Sequence, residues 1–165
     1  MQFLPRLLLA GFAATALAAP VAGERSDDQI APKSVELMHK GQAALAAGKL
    51  EDAENALESA LAVDPRNRWA YVDLARVAEK QQLFGKAIRM TNKALLIEPN
   101  DPDAIAVQGE AMVEMGASAR AQENLQKLQG ICGAKGCPQV AQLSAAITRG
   151  PTVASAKTPD SPKSN

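Results

Sequence analysis

The sequence predicts an all-α protein made of stacked helical hairpins, and three observations lead to this prediction. A period of 34 residues separates Ser34, Arg68 and Pro102, each of which opens a similar unit. Small residues recur at the twentieth position of every unit, where two helices must nearly touch: Ala53, Ala87 and Ala121. Pro65 and Pro99 close the first two units, because proline cannot continue a helix. The pattern indicates repeated two-helix units, none of which can bury its apolar surface alone.

The first unit begins at Ser34, which is predicted to cap the first helix. The residues that follow at the spacing of one helical face are Leu37, Gly41, Ala44 and Leu45. Gly48 suits the left-handed turn that ends this helix. A second helix is predicted from about Leu50 to Asp64, because a residue that precedes a proline disfavours helical backbone.

The second unit repeats this arrangement. Its first helix is predicted over about residues 67–80, with a turn at Gln81 and Gln82. Phe84 opens the second helix, which stops before Pro99. The residues predicted to face inward from that helix are Ala87, Thr91 and Ala94.

The third unit starts with a strong signal, since residues 100–102 (Asn-Asp-Pro) supply a capping side chain and a proline for the first turn. Gly116 breaks its first helix, and the second helix is predicted over about residues 118–128. A further helix over residues 138–148 is predicted to cover the open end of the stack. Its apolar stripe consists of Val140, Leu143, Ala146 and Ile147.

The N-terminal residues 1–18 are predicted to be a signal peptide. Arg6 supplies its positive charge, residues 7–19 are apolar, and the sequence up to Ala18 offers a small-x-small cleavage pattern. A later cut near Ala22 or Gly23 and an uncleaved N-terminal anchor are the alternatives. The apolar stretch is shorter than the roughly 20 residues that a membrane span needs, so no stable membrane insertion is expected after cleavage.

Polar segments flank the predicted domain, which extends over residues 34–149. Residues 19–33 are predicted to be a flexible lead-in and residues 150–165, rich in Pro, Ser, Thr and Lys, a disordered tail. The formal net charge of the whole chain is zero. This lack of basic excess argues against a nucleic-acid partner or an anionic membrane surface.

Cys132 and Cys137 are predicted to form a structural disulfide, because an exported protein meets an oxidising compartment. A catalytic dithiol remains as an alternative, although such pairs usually have two intervening residues rather than four. A metal site would need further ligands, and the single histidine, His39, lies far along the chain. No metal or other cofactor is therefore expected.

No catalytic motif accompanies these cysteines. The chain has no G-x-S-x-G, no phosphate-binding glycine loop followed by Lys-Ser/Thr, and no H-E-x-x-H. Its acidic residues concentrate at predicted helix starts and outer faces, as on a solvated surface. We therefore expect neither an enzyme nor a small-molecule substrate.

The 34-residue period, its recurring small residues and its closing prolines resemble the tetratricopeptide repeat. The resemblance implies a right-handed α-solenoid of three such units, over residues 34–67, 68–101 and 102–131, followed by the capping helix. It also implies that the first helix of each unit lines a concave groove. The positions that would point into this groove are Val35, Met38, Gln42, Leu45, Trp69, Val72, Arg76, Glu79, Asp103, Ala106, Glu110 and Val113.

Trp69 has two interpretations: an anchor for a bound peptide, or a side chain packed against the preceding hairpin. The family members that grip the carboxylate terminus of heat-shock chaperones use Lys, Asn and Arg in this groove. This sequence instead has Met38, Gln42, Asp73 and Val107 at such positions. Chaperone binding is therefore not expected.

The sequence thus favours a non-enzymatic adaptor that binds an unidentified protein or peptide in its concave groove. The expected location is the periplasm of a Gram-negative bacterium, with a secreted or N-terminally anchored protein as the alternative. A second hypothesis is a structural subunit of an envelope or secretion assembly, held by its convex face or its tail. A third is a thiol-redox protein that uses Cys132 and Cys137.

Overall fold

A computed structural model describes residues 29–152 of the chain, and this part is helical throughout, with no strand. The predicted signal peptide and most of the predicted lead-in and tail lie outside the described residues. None of the described helices is long and apolar enough to cross a membrane. The helices are α1 (Pro32–Ala46), α2 (Leu50–Val63), α3 (Arg68–Lys80), α4 (Phe84–Ile97), α5 (Pro102–Glu114), α6 (Ser118–Cys132) and α7 (Pro138–Arg149).

The first six helices form three hairpins that stack in chain order, as the repeat predicts. The first helices of the units, α1, α3 and α5, contact one another in sequence, and α7 continues this row against α5. The second helices, α2, α4 and α6, pack mainly against the neighbouring odd-numbered helices, and Lys86 of α4 also forms an ion pair with Glu54 of α2. The stack therefore has an inner layer of α1, α3, α5 and α7 and an outer layer of α2, α4 and α6.

The predicted small positions lie at the closest approaches between helices. The side chains of Ala53, Ala87 and Ala121 are completely buried. Gly41 and Gly109 also need to be small, since a Cβ built at Gly41 would lie 2.5 Å from Leu57 Cγ and one at Gly109 would lie 2.6 Å from Leu143 Cδ1. Glycine at these two positions lets a leucine fill the space that any other side chain would occupy.

All three hairpins turn through the same backbone geometry. Gly48 and Gly116 have φ values of +73° and +75°, in the left-handed region that glycine adopts at little expense. The matching residue of the second hairpin is Gln82, with φ of +60°. The second unit therefore makes the same turn with a residue that is less suited to it.

The start of α1 differs from the sequence prediction. The helix begins at Pro32, and Ala31 rather than Ser34 is the residue before it. Ser34 is completely buried within α1, donates to the carbonyl of Ala60 at 2.8 Å and accepts from Asn67 Nδ2 at 3.0 Å. The prediction that Ser34 caps the helix is wrong, because its hydroxyl joins α1 to α2 and to Asn67, the residue that precedes α3.

The residues just before α1 are packed, which also departs from the predicted lead-in. Ile30 is buried, and the backbone N–H of Ala31 donates to Asp64 Oδ2 at 3.0 Å. Arg66 pairs with the same carboxylate and donates to the carbonyl of Gln29. These contacts fasten residues 29–31 to the end of α2.

The two later units begin as predicted. The side chains of Asn67 and Asp101 accept hydrogen bonds from the backbone N–H of Ala70 and Ala104, and so cap α3 and α5. At the C-terminal end, α6 extends to Cys132, beyond the predicted end near residue 128. A short turn then leads to α7, whose Leu143 is completely buried.

Candidate functional site

The candidate site is the exposed side of the inner helix layer, where the sequence predicted a groove. Five of the predicted groove residues are polar and half-buried there: Gln42, Arg76, Glu79, Asp103 and Glu110. They are available to a ligand without any change in the packing of the helices.

Apolar groove predictions are corrected by the structure. Met38, Val72 and Ala106 are only 6%, 2% and 1% exposed, and Val113 is completely buried. Val35 packs partly buried against the core that the first two units share. Met38, Val72, Ala106 and Val113 lie between the helices, so these four offer a partner almost no contact surface, whereas Val35 remains partly exposed.

Trp69 also packs against the core of the first two units. Its exposed side is covered by the guanidinium of Arg68, which lies 4.2 Å from the ring centroid. Arg68 in turn forms an ion pair with Asp101 at the start of α5. Of the two interpretations, these contacts favour the structural one.

A continuous row of hydrogen bonds crosses all four helices of the inner layer; we call it the polar row. Gln42 of α1 donates to Asp73 of α3 at 2.7 Å, and Asp73 also accepts from Arg76 at 2.9 Å. Arg76 also donates to Asp103 of α5 at 2.9 Å, and Gln139 of α7 donates to the same Asp103 oxygen at 3.1 Å. The row holds charged groups in fixed places on the inner surface.

Beside this row, Glu79, Glu110 and Glu114 form a second cluster, which we call the acidic end. Burial raises the pKa of Glu79 to about 8, reinforced by the charges of Glu110 and Glu114 and opposed by those of Arg76 and Lys80. Burial likewise raises the pKa of Glu110, although a hydrogen bond from Gln142 opposes it. One oxygen of Glu110, Oε1, is buried and has no hydrogen-bond partner among the described residues.

The helix α7 contributes to this surface, which the sequence interpretation missed when it treated α7 as a cover only. Gln139 joins the polar row, Gln142 bonds Glu110, and Arg149 lies 3.7 Å from Glu114. The helix α7 begins at Pro138, 36 residues after the start of α5 at Pro102 rather than 34. A search that allowed two extra residues in the loop before α7 would have placed this helix as the first helix of a fourth unit.

The two cysteines lie away from this surface, whereas the single histidine adjoins it. The sulfurs of Cys132 and Cys137 are at disulfide-bond distance, 2.03 Å, at the junction of α6 and α7. The exposed ring of His39 hydrogen-bonds Gln42. Within residues 29–152, no group of three His, Cys, Asp or Glu side chains is placed to hold a metal ion.

Two surface cavities are also separate from the polar row. One of about 520 Å³ lies between α1 and α2 and is lined by Leu37, Lys40, Ala44, Asp52, Asn55 and Ser59, among others. Another of about 420 Å³ lies at the turns of the second and third units, beside Leu83 and Met115. Neither includes a residue of the row or of the acidic end.

Comparison with known proteins agrees with this architecture. A sequence model of the tetratricopeptide repeat matches residues 44–111. The tetratricopeptide-repeat domain of Sgt2 from Aspergillus fumigatus has a TM-score of 0.67 and 24% sequence identity, and the likeness covers 77% of this chain and 83% of that one. No curated protein sequence matches the chain.

Two further solved domains of the same fold contain ligands. The TPR2B domain of yeast Sti1, solved as a pHsp70 complex, has a TM-score of 0.64 at 21% identity, covering 72% of this chain and 98% of that one. The second repeat domain of human RPAP3, solved with the HSP70 peptide SGPTIEEVD, has a TM-score of 0.63 at 20% identity, covering 70% and 95%. At these identities the likeness concerns the fold. Together with the match of the repeat itself, it shows that residues 44–111 contain tetratricopeptide repeats, within a domain that has the fold of such repeats.

Proposed function

We propose that this protein is a non-enzymatic adaptor that binds an extended peptide or a helix of a partner protein on its inner layer. The observation that carries the proposal is the polar row, which presents side chains from α1, α3, α5 and α7 on one continuous surface. Support comes from the fold, since the Sti1 and RPAP3 domains are solved with Hsp70 ligands.

The charge of the surface indicates a different class of partner from those ligands. The HSP70 peptide in the RPAP3 complex ends in two glutamates, a valine and an aspartate. Here the polar row and the acidic end together contain five carboxyl groups: Asp73, Glu79, Asp103, Glu110 and Glu114. Two guanidinium groups, those of Arg76 and Arg149, stand among them. Because both guanidinium groups are already paired with carboxylates, an acidic peptide end gains little here, so the proposed partner presents neutral or basic side chains.

We further propose that the protein works in the bacterial cell envelope, after export. The support is the predicted signal peptide over residues 1–18. Mass spectrometry of the protein purified from its own cells tests this, with a mature N terminus after Ala18 as the expected result. A chain that retains residues 1–18 in the cytoplasm contradicts it.

A second candidate function is that of a structural subunit held by its outer layer. The observation in its favour is Leu96 on α4, whose side chain is 83% exposed. Exposed single apolar residues are common on soluble proteins, so this observation is weaker than the polar row.

A cross-linking pull-down of the exported protein separates the two functions. The inner-surface variant is Arg76→Ala with Asp103→Ala, which removes the centre of the polar row. The matched outer variant is Leu96→Ser, and circular dichroism checks that both remain helical. We expect the partner to be lost with the inner variant and kept with the outer one, whereas the reverse result favours the structural subunit.

A further inference from the structure

We propose that the disulfide between Cys132 and Cys137 is a redox-sensitive switch. In its oxidised form it holds the start of α7, residues 138–142, on the inner layer, and its reduction by a dithiol releases this segment. The proposal rests on the proposed function in one respect, namely that the inner layer is the ligand-binding surface. It adds regulation of that surface: the reduced protein presents an incomplete surface and binds its partner more weakly.

The disulfide lies where α7 joins the rest of the stack. Cys132 is the last residue of α6, Cys137 directly precedes α7, and their Cα atoms are 5.6 Å apart. Without the bond between the sulfurs, the same stretch of chain can extend up to about 17 Å. It contains Gly133 and Gly136, which have φ values of +60° and +65°, and glycine gives a chain more freedom than any other residue. The disulfide therefore limits how far the start of α7 can move from α6.

The start of α7 has few other attachments among the described residues. Cys137 occupies the cap position, but its side chain forms no hydrogen bond with the backbone of the helix. Val140 is only partly buried, and the first completely buried side chain of the helix is that of Leu143. The first N–H groups of a helix have no partner within it, so an end without a cap opens readily. The disulfide is therefore an important constraint on this segment.

The second half of α7 is held independently of the disulfide. Leu143 fills the space beside Gly109, and Ala146 is also buried. Beyond the helix, the backbone N–H and the hydroxyl of Thr152 donate to Glu114 Oε2, at 2.7 Å and 2.8 Å. Reduction should therefore release the start of α7 while its second half stays in place, which makes the change local and reversible.

The start of α7 supplies two hydrogen-bond donors to the inner surface. Gln139 donates to Asp103 of the polar row at 3.1 Å, and Gln142 forms a hydrogen bond with Glu110 of the acidic end. Both donors leave the surface when the segment is released. The polar row then ends at α5 and connects three helices rather than four.

The reaction that operates the switch is thiol–disulfide exchange. A thiolate of the dithiol attacks one sulfur of the disulfide, whose S–S bond breaks as a mixed disulfide forms. The second thiol of the reductant then displaces the cysteine sulfur. Two electrons and two protons pass to Cys132 and Cys137, which become thiols, and the reductant becomes a disulfide. Because residues 133–136 are exposed and both cysteines are partly exposed, a small dithiol can reach the bond.

Amide hydrogen exchange and ¹H–¹⁵N spectra of the full chain, before and after reduction with dithiothreitol, test the proposal. The amides of residues 142–145 donate to the carbonyls of residues 138–141, so they report on the start of α7. We expect their exchange to become up to about 30-fold faster, the limit that the chain-entropy estimate sets for so short a loop. The amide signals of Asp103 and Glu110 should shift, α1 and α2 should not change, and reoxidation should restore the first spectrum.

The matched control is the full chain with Cys132→Ala and Cys137→Ala, since alanine cannot cap α7. Without reductant it should reproduce the spectrum of the reduced natural chain over residues 103–114 and 138–149, and dithiothreitol should change it no further. A thiol titration shows when reduction of the natural chain is complete. If the fully reduced chain keeps its original spectrum over these residues, or if exchange in α1 and α2 rises as much as in α7, the proposal is overturned.

The cross-linking pull-down measures the consequence for binding. We expect the oxidised chain to retain more of its partner than the reduced chain, by about twofold if the start of α7 is released half of the time. A variant with Gln139→Ala and Gln142→Ala should bind weakly in both redox states. Equal binding by the oxidised and the reduced natural chain overturns the proposal. That result leaves the proposed function intact if the inner-surface variant still loses its partner, so the two failures are distinguishable.

Discussion

The first and third units have glycine at the same repeat position, but different parts of the molecule require it. At Gly41, the space of the missing side chain is filled by Leu57, which belongs to the second helix of the same hairpin. At Gly109 it is filled by Leu143, which comes from α7. The same repeat position therefore allows close packing of α1 against α2 in the first unit and of α5 against α7 in the third.

Because of this difference, we expect similar substitutions at the two ends of the stack to lower the stability of the domain by different amounts. Leu57 lies between helices of the first hairpin and the adjoining α3, so its neighbours are held from several sides. Leu143 lies on a helix that packs mainly against α5 and α6 among the described helices. Damage near Leu57 should weaken the whole domain, whereas damage near Leu143 should first release α7.

Truncation of the two leucines is the largest expected effect. Both side chains are completely buried, and Leu→Ala changes at such sites typically cost about 2–5 kcal/mol. We expect Leu57→Ala to lie in the upper half of this range and Leu143→Ala in the lower half, because α7 can relax. Urea denaturation measures both, and an equal or larger cost for Leu143→Ala contradicts the comparison.

Alanine at the two glycines is the next test, with an expected cost of about 1–3 kcal/mol for overpacking. At Gly41 the added carbon meets Leu57 Cγ at 2.5 Å and the backbone oxygen of Ala53 at 3.2 Å, which leaves little room to adjust. At Gly109 it meets mainly the ends of the Leu143 side chain. Gly41→Ala should therefore be the more damaging change.

A double-mutant cycle sharpens this second test. Gly109→Ala in a Leu143→Ala background should cost much less than it does alone, because the clash is removed. The same change in a Leu57→Ala background should keep its full cost. If both backgrounds give the same value, Leu143 is not the reason for glycine at residue 109.

The disulfide is expected to act only at the α7 end. Closing so short a loop contributes about 2 kcal/mol in the chain-entropy estimate. Cys132→Ser with Cys137→Ser should therefore speed hydrogen exchange in α7 while α1 and α2 keep their protection. Uniformly faster exchange throughout the domain would show that the two ends are not independent.

The structural features that could be predicted from the sequence are those that recur in every unit. Ala53, Ala87 and Ala121 could be identified from the sequence because the same close approach limits residue size in every unit. The role of α7 was missed because the loop before it shifts the register by two residues, and a strict period does not tolerate this. Local patterns also misled at Ser34, whose hydroxyl is used by residues distant in the sequence rather than by its own helix.

The sequence predicts which repeat positions face the inner layer, and the structure adds how deeply each of them is buried. The repeat positions placed Arg76, Glu79 and Asp103 on the inner layer, but they carry no information on depth. Met38 and Val72 are buried because removing apolar side chains from water is favourable. Only the packed helices reveal which positions remain accessible.

Acid–base behaviour should also differ between the ends. The folded pKa of Glu79, about 8, is above its ordinary value of 4.5, so its contribution to stability is present below pH 4.5 and is lost as the pH rises through 8. The pKa of Asp64, by contrast, is held well below 3.8 by hydrogen bonds from Arg66 and from the backbone of Ala31. Its contribution is present above pH 3.8 and is lost as the pH falls.

The matched variants are Glu79→Gln, measured by urea denaturation between pH 4 and pH 9, and Asp64→Asn, measured in the same way between pH 2 and pH 7. We expect Glu79→Gln to be more stable than the natural chain at pH 9 by on the order of 1 kcal/mol, since Glu79 is only half-buried, and about equal to it at pH 4. Asp64→Asn should destabilise at neutral pH and progressively less in acid. If the stability of the two variants changes with pH in the same way, the expected difference between Glu79 and Asp64 is contradicted.

The hairpin turns give the smallest effect and the most direct comparison, because the backbone hydrogen bonds of the three turns are the same. Gly48, Gln82 and Gly116 each donate to the carbonyl three residues earlier, at 2.9–3.0 Å. Only Gln82 holds a left-handed backbone with a side chain, which costs about 1 kcal/mol, partly offset because glycine loses more entropy on folding. Gln82→Gly should therefore stabilise the domain by about 0.5 kcal/mol, and the reciprocal Gly116→Gln should destabilise it by about 1 kcal/mol, both measured as changes in the urea midpoint. A destabilised Gln82→Gly would mean that the side chain of Gln82 makes a favourable contact, most directly across the surface cavity that it lines with Leu83 and Met115.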